Sequence, residues 1–335
     1  MSESRSRHVV VGSGSIARRH LRNLKHLYPD GETACVSASG RVIGANDVGA
    51  DLVFADVSAA AAWRPEFAVI ASPAPWHLTH ALAFLEAGVP TLIEKPLAAD
   101  ISGAADELAR LRSHAARVDI AYPLRHLSSA VRMRQLLQAQ QAGTVLSVMC
   151  EVGQYLPDWR PDDDYRKNVS AQRRLGGGAL LELSHEFDYL RWLFGDFADV
   201  QCALRNTGQL DVDVEDCVDA LLRRSDGLVA AVHLDFLQRT VVRRCKVVGS
   251  AGTLHWDLAL NRIDWEGPRA PRETLFSEPG FDRNEMYLHQ LRHFREVASG
   301  RSVPLVAVED GIATLALVDA LRRADAEGQR IKLKS

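Results

Sequence analysis

Short apolar runs alternate with amphipathic stretches through the first third of the chain. Val9–Val11, Phe67–Ile70 and Val89–Ile93 have the length and β-branched content of buried strands. The stretches Arg18–Leu27 and His77–Ala87 carry apolar residues at helical spacing. Strands that alternate with helices of this length predict an α/β fold built on a doubly wound parallel sheet.

The alternation stops after Tyr122, and strand-like runs follow a helix predicted over residues 128–142. The predicted strands are 145–152, 199–205, 217–223, 228–236 and 243–248, and helices over 283–298 and 308–326 close the chain. Strands grouped in this way predict an α+β fold on a mostly antiparallel or mixed open sheet. We therefore predict two domains, 1–123 for dinucleotide binding and 124–335 for substrate binding and oligomerisation, with the last helix packed back on the first domain.

A glycine-rich turn, Gly12–Ala17, follows the first strand and opens the first helix. Gly12 suits the tight turn, Gly14 lets the backbone approach a pyrophosphate, and Ala17 is small enough for close packing of helix on strand. The helix N-terminus offers backbone N–H groups to phosphates. The pattern predicts dinucleotide binding rather than a plain turn. The predicted contacts are Gly12, Gly14, Ser15, Ile16 and Ala17.

The second strand ends in small polar residues followed by an arginine. A site that prefers NAD usually has an acidic residue here for the ribose 2′-hydroxyl. This chain offers Ser39 and Arg41 instead. A guanidinium with a nearby hydroxyl suits a 2′-phosphate, so we predict NADP in preference to NAD. The alternative is that Arg41 is a solvated loop residue.

Two charged residues, Glu94 and Lys95, stand where the Val89–Ile93 strand should emerge, and Pro96 ends the strand because it has no N–H to donate. Ligands bind at this edge of an open parallel sheet. A lysine there can touch a cofactor and a substrate together. A solvated ion pair at a strand end is the alternative.

Three glycines, Gly176–Gly178, precede an apolar-periodic segment that ends at Gly195. Within it Glu182, His185 and Asp188 are three residues apart, which predicts neighbouring positions on one helix. A histidine flanked by carboxylates can take a proton from a hydroxyl group, although such a histidine, taken alone, is more often a hydrogen-bonded structural residue.

The glycine turn, Ala71-Ser72-Pro73 with His77, Glu94-Lys95-Pro96, and Tyr122 with Arg125 occur in an order and spacing that resemble the Gfo/Idh/MocA family. The resemblance covers nearly the whole chain. It implies a Rossmann domain, an NAD(P)-dependent oxidoreductase for sugars, cyclitols or nucleotide sugars, and oligomer contacts through the second sheet. It also implies cofactor contacts from Ser72, Pro73, His77, Glu94 and Lys95, and substrate contacts from Tyr122 and Arg125.

The same resemblance makes His185, with Asp188, the catalytic acid/base. One position departs from the family pattern. Many members have an aspartate four residues before the histidine, whereas this chain has Leu181 there and its nearest acid is Glu182.

Aromatic and basic residues alternate in the segment from Gln154 to Lys167. Aromatic faces stack on sugar rings, and arginines bind carboxylate or phosphate at two points. We expect Trp159, Arg160, Tyr165 and Arg166 to bind substrate. The segment resembles members that handle acidic and nucleotide sugars, and a mixed-charge surface loop is the alternative.

The composition of the 335 residues limits the partners. A formal net charge of −3 provides no basic field for nucleic acid, and no apolar run is long enough to span a membrane. The polar start of the chain does not resemble a signal peptide, and five scattered cysteines suggest reduced thiols, so we expect a cytoplasmic location. The pairs His289/His293 and His77/His80 lack further ligands in the sequence, and we predict no metal.

These features predict an oxidoreductase that passes a hydride between nicotinamide and a carbinol carbon of a sugar, including nucleotide or acidic sugars. Lys95 would stabilise the reacting oxygen, and His185 would exchange its proton, with Asp188 and Glu182 setting the charge of the histidine. The alternatives are a non-catalytic regulator that binds cofactor and sugar, and an oxidoreductase for a cyclitol, a dihydrodiol or a linear tetrapyrrole. We expect a dimer or tetramer formed through the second sheet.

Overall fold

The computed structural model describes residues 5–269 and 271–333, which divide into two compact units. The first unit comprises the described residues up to Pro123 together with Arg283–Leu315, and the second comprises Leu124–Asp282 and the described residues from Ala316 onward. Arg283–Leu315 thus belongs to the compact first unit, although it is distant from the rest of that unit in sequence. The domain limits predicted from the sequence stay predictions.

In the first third of the chain the structure contains the predicted alternation of strands and helices, and over residues 45–62 it has additional short elements that were not predicted. The strands are β1 (Arg7–Val11), β2 (Glu32–Val36), β3 (Leu52–Phe54), β4 (Phe67–Ile70), β5 (Thr91–Glu94), β6 (Val118–Ala121), β7 (Val145–Gly153), β8 (Asp199–Arg205), β9 (Cys217–Arg223), β10 (Val229–Asp235), β11 (Val242–Gly249), β12 (Thr253–Asp257), β13 (Arg262–Glu266), β14 (Glu273–Ser277) and β15 (Ile331–Lys332). The α-helices are α1 (Ser15–Leu27), α2 (Ala45–Val48), α3 (Val57–Ala62), α4 (His77–Glu86), α5 (Ala105–Arg112), α6 (Ser128–Gln138), α7 (Ala179–Glu182), α8 (His185–Phe194), α9 (Glu285–Ala298) and α10 (Val308–Glu327).

The sheet of the first unit has six parallel strands in the order β3-β2-β1-β4-β5-β6. This arrangement confirms the predicted doubly wound parallel sheet. The strand order reverses between β1 and β4. In such sheets ligands bind beyond the carboxyl ends of the strands at this reversal.

Helices cover both faces of this parallel sheet because successive strand residues point to opposite sides. Val10 and Phe67 pack on one side against Leu21 of α1 and Phe294 of α9. Residues of α4, α5 and the start of α10 cover the other side. The side chains of Val10, Phe67, Leu21 and Phe294 are fully buried, and each contributes about 1.5–3 kcal/mol through removal from water.

The second unit contains a nine-stranded mixed sheet in the order β14-β13-β12-β11-β7-β10-β9-β8-β15. The β10–β7 pair is parallel and the other described pairs are antiparallel, which confirms the predicted mixed sheet. The sequence did not predict β12 to β14, because none of these five-residue strands contains a continuous apolar run. Within the described ranges no helix combines the length and the apolar character of a transmembrane span.

Candidate functional site

The glycine turn of the first unit fits a close backbone approach at Gly12. Gly12 has φ +123°, and a Cβ there would lie 2.4 Å from the carbonyl oxygen of Ala71. Only glycine avoids both the strain and the clash. Gly14 caps α1 with extended backbone, and a Cβ on it would meet no atom within 4 Å. Ala17 is fully buried, as expected where helix packs closely on strand.

The N-terminus of α1 therefore opens onto free space beside the turn. Gly14 provides no side-chain cap, so the first N–H groups of this 13-residue helix are suited to an external acceptor. Ser15 is exposed and Ile16 is half-buried at this end. These features fit the pyrophosphate of a dinucleotide.

A groove of about 480 Å³ lies next to this turn. It is lined by Ser13, Arg18, Arg41, Val42, Ile43, Asp47 and Val48. The Nε of Arg18 donates to the carbonyl oxygen of Ser13 at 3.2 Å, which holds the guanidinium at the groove. Arg41 is therefore joined by a second arginine, whereas Ser39 is exposed and does not line the groove.

The carboxyl end of β5 carries the predicted catalytic lysine. Glu94 is the last strand residue and is buried, and Lys95 follows it half-buried. One oxygen of the Glu94 carboxylate lies 2.7 Å from Nε2 of His20, a buried residue of α1. The other oxygen accepts from the backbone N–H of Lys95 at 3.2 Å. A long-range pair thus joins the helix of the glycine turn to the lysine.

His77 joins the loops that follow β4 and β5. Its Nδ1 lies 2.8 Å from the carbonyl oxygen of Pro96, and its Nε2 lies 2.5 Å from that of Ser72. Burial lowers the pKa of His77 and favours the neutral ring, which donates from only one nitrogen at a time. The hydroxyl of Ser72 contacts Nδ1 of His80 at 3.0 Å, and Pro73 is half-buried beside it. The predicted cofactor contacts of Ser72, Pro73 and His77 stay predictions.

In the second unit the segment around His185 differs from the expected single helix. The chain forms α7 and then α8, with a break at Leu183–Ser184. The N–H groups of Ser184 and Glu186 bond to carbonyls three residues back, which tightens the turn. Glu182 therefore ends one helix and His185 begins the next, so the expectation of one continuous helix was wrong.

Asp188 and Arg125 form a buried two-point ion pair. Nε and Nη2 of Arg125 donate to the two carboxylate oxygens at 3.0 and 2.7 Å. Two residues earlier on α8, Glu186 pairs in the same way with Arg243 of β11 at 2.8 Å for both bonds. Both pairs fix the start of α8, where His185 is half-buried. The predicted roles of Asp188 and Glu182 toward His185 stay predictions, as does substrate contact by Arg125.

The remaining substrate candidates lie in separate surroundings. Tyr122 is buried in the first unit. In the second unit Trp159 is half-buried, donates to the carbonyl oxygen of Gln154 at 3.3 Å and meets the ring of Phe236 edge-on.

Arg160, next to Trp159, is half-buried. The hydroxyl of Tyr165 accepts from the N–H of Asp211 at 3.1 Å. Arg166 is exposed and pairs at two points with Asp164. The structure thus ties Tyr165 and Arg166 to local partners, and substrate contacts by these residues stay predictions.

Three potential metal ligands, Cys217, Asp219 and His233, lie within 4.8 Å of one another on β9 and β10. The guanidinium of Arg205 already contacts two of them, at 3.0 Å from Sγ of Cys217 and 2.6 Å from an oxygen of Asp219. A cation at this position would have to displace that guanidinium.

Two residues of the first unit were missed by reasoning from sequence. Arg18 stands in the first turn of α1, where its position after the glycine turn could have indicated a phosphate contact. His20 is 74 residues from its partner Glu94. No local pattern indicates such a pair.

Two family models match the chain. A model for an oxidoreductase family with an NAD-binding Rossmann fold matches residues 6–122. A model for the Gfo/Idh/MocA C-terminal domain matches residues 130–255. Together they cover most of both units.

Two relatives match over most of their length. The chain is 25% identical over 270 residues to a 1,5-anhydro-D-fructose reductase from Ensifer adhaerens, covering 77% of each protein. It is 25% identical over 330 residues to an inositol 2-dehydrogenase from Paenarthrobacter aurescens, covering 93% of each. In fold it is similar to the WlbA dehydrogenase from Bordetella pertussis, solved in complex with NADH and UDP-GlcNAcA, with a TM-score of 0.81, 20% identity and 99% of each chain covered.

Proposed function

The chain belongs to the Gfo/Idh/MocA family of oxidoreductases, and on this premise we propose that it transfers a hydride between NADP and a secondary carbinol of a sugar. The nicotinamide supplies the hydride chemistry when it is bound. The observation that carries the proposal is the carboxyl end of β5, where Lys95 follows a glutamate anchored to the helix of the glycine turn.

The cofactor would be held along the carboxyl edge of the parallel sheet. Gly12 and Gly14 would admit the pyrophosphate, which the first N–H groups of α1 would bind. Arg18 and Arg41 would bind a 2′-phosphate in the groove, and the groove's two guanidinium groups favour NADP over NAD. Asp47 at the same groove is the opposing charge, and two cations outweigh it.

Lys95 would donate to the reacting oxygen of the substrate and stabilise its developing negative charge. His185 would accept the hydroxyl proton during oxidation and return it during reduction. The ion pairs Arg125–Asp188 and Glu186–Arg243 support this proposal, because they fix the backbone on which His185 stands.

The substrate would be a polar ring with several hydroxyl groups. Trp159 offers an aromatic surface for such a ring, and Arg160 could pair with an acidic or nucleotide group. The relatives include a reductase of an anhydro sugar, which favours a sugar. A cyclitol is the second candidate, because the similarity to an inositol dehydrogenase extends over 93% of the chain.

We also propose that two or four copies assemble through the outer face of the mixed sheet. Met149 and Leu221 point outward there with 42% and 46% of their surface exposed, separated by one strand. Sedimentation should give a mass above 36.9 kDa, and a monomer at working concentration would contradict the assembly.

The function is tested with a panel of sugars, acidic and nucleotide sugars, and inositols, assayed by nicotinamide absorbance in both directions. Lys95→Ala should reduce turnover by about 10³-fold while the coenzyme still binds. Lys25→Ala is the matched control, since it removes an exposed lysine that pairs with Asp51 on the first unit's surface. Turnover of Lys95→Ala within tenfold of wild type would contradict the role of the lysine.

A further inference from the structure

We propose that His20 is a positioning residue that acts through Glu94 to fix Lys95 at the carboxyl end of β5. The proposal rests on the proposed function for its kinetic consequence and on the geometry of the first unit for its structural part. His20 lies three residues beyond the glycine turn, on α1.

The pair is almost completely removed from water. The side chain of His20 has no exposed surface and that of Glu94 has 7%. The ring of Tyr287 meets His20 edge-on at 6.3 Å between centroids. In such surroundings a carboxylate needs hydrogen-bond donors, because few waters can reach it.

The contacts determine where the proton of His20 resides. Nε2 faces a carboxylate oxygen at 2.7 Å, and a carboxylate only accepts. Nδ1 is buried and contacts no hydrogen-bond partner among the described residues. The hydrogen is therefore on Nε2, and the bond to Glu94 is charge-assisted.

This bond orients the Glu94 carboxylate toward the backbone N–H of Lys95. With one oxygen held by His20, the other lies 3.2 Å from the backbone N–H of Lys95, the first residue beyond the strand. His20 stands on α1, five residues after the helix begins at the glycine turn. The pair thus links the element that would bind phosphate to the residue that would contact the reacting oxygen.

A second histidine provides a matched comparison at the opposite end of the sheet. His8 is also fully buried and lies 3.3 Å from a carboxylate oxygen of Glu66. Glu66 follows no strand and is 39% exposed, so water can replace its histidine partner. If both histidines only stabilise the fold, their replacement should affect Lys95 to a similar extent. A positioning role predicts an effect on Lys95 from His20 alone.

The test compares His20→Leu, His20→Gln and His8→Leu by hydrogen exchange and by kinetics. Glutamine can place its amide N–H near the position of Nε2, whereas leucine has no donor. The amide of Lys95 should exchange about tenfold faster in His20→Leu than in wild type, and should return toward wild type in His20→Gln. With an active substrate, His20→Leu should lower kcat about tenfold and leave KM for the coenzyme nearly unchanged.

Equal Lys95 exchange in His20→Leu and His8→Leu would overturn the proposal. If His20→Leu does not fold, ¹⁵N NMR of the wild type decides: a proton on Nε2 is expected, and a ring protonated on Nδ1 alone would overturn it. Absence of turnover by the wild type on every substrate would refute the proposed function. The exchange rate of the Lys95 amide and the tautomer of the His20 ring would still decide the role of His20.

Discussion

Replacement of Arg41 by alanine should weaken binding of NADPH and leave binding of NADH nearly unchanged. The side chain lines the groove beside the glycine turn together with Arg18. The two coenzymes differ only in the 2′-phosphate. A guanidinium bound to that phosphate therefore affects one coenzyme and not the other.

The magnitude follows from the exposure of the groove. A hydrogen bond to a charged group contributes about 1.5–3 kcal/mol, and Arg41 is exposed, so the lower value applies. About 1.5 kcal/mol corresponds to roughly a tenfold increase in Kd for NADPH. Arg18→Ala should have a similar effect. In the double variant the increase in Kd for NADPH should be smaller than the product of the two single increases, because both arginines would contact one phosphate.

The assay is a titration that follows nicotinamide fluorescence, performed with each coenzyme and each variant. Arg112→Ala is the control, since this exposed arginine of the same unit pairs with Glu309 and does not line the groove. An equal loss of affinity for both coenzymes in Arg41→Ala would refute the assignment of the groove to the 2′-phosphate.

Three further predictions concern other parts of the chain. Gly12→Ala should lower the free energy of unfolding in urea by about 2 kcal/mol or more, because of its clash and its positive φ. The added Cβ in Gly14→Ala meets no atom within 4 Å, so this variant should keep the wild-type free energy of unfolding and lose affinity for the coenzyme. His185→Asn should reduce kcat about 10²- to 10⁴-fold with coenzyme binding retained, and wild-type kcat would exclude proton transfer by this residue. Hydrogen bonding to Asp235, aided by Asp219, raises the pKa of His233 from 6.5 to about 9, so its stabilisation is complete below pH 6.5 and is lost as the pH rises through 9. The urea midpoint should therefore fall less over this range in His233→Gln than in wild type, and an equal fall would contradict the ion pairing.

The fold of the first unit could be predicted from the sequence because its strands are continuous apolar runs. Parallel strands are buried on both faces, so Val9–Val11 and Phe67–Ile70 are recognisable as strands from their apolar residues alone. Strands β12 to β14 are five residues each and contain no continuous apolar run, and their pairing with neighbouring strands identifies them.

The candidate site could be predicted only where its residues are adjacent in sequence. Glu94 and Lys95 were recognised from one strand end, but the partner of Glu94 comes from a helix 74 residues away. The break between α7 and α8 could not be predicted either, because apolar spacing continues through Leu183. Only the backbone hydrogen bonds to carbonyls three residues back show the break. Contacts that depend on tertiary packing leave no local pattern.

The central claim, a nicotinamide-dependent oxidoreductase that prefers NADP, is tested most directly by titrating the wild-type protein with NADPH and with NADH and following nicotinamide fluorescence. We predict saturable binding of both, with NADPH bound at least tenfold more tightly because of the arginines at the groove. Tighter binding of NADH would contradict the NADP preference and leave the family assignment in place. Absence of binding by either coenzyme would contradict the account as a whole.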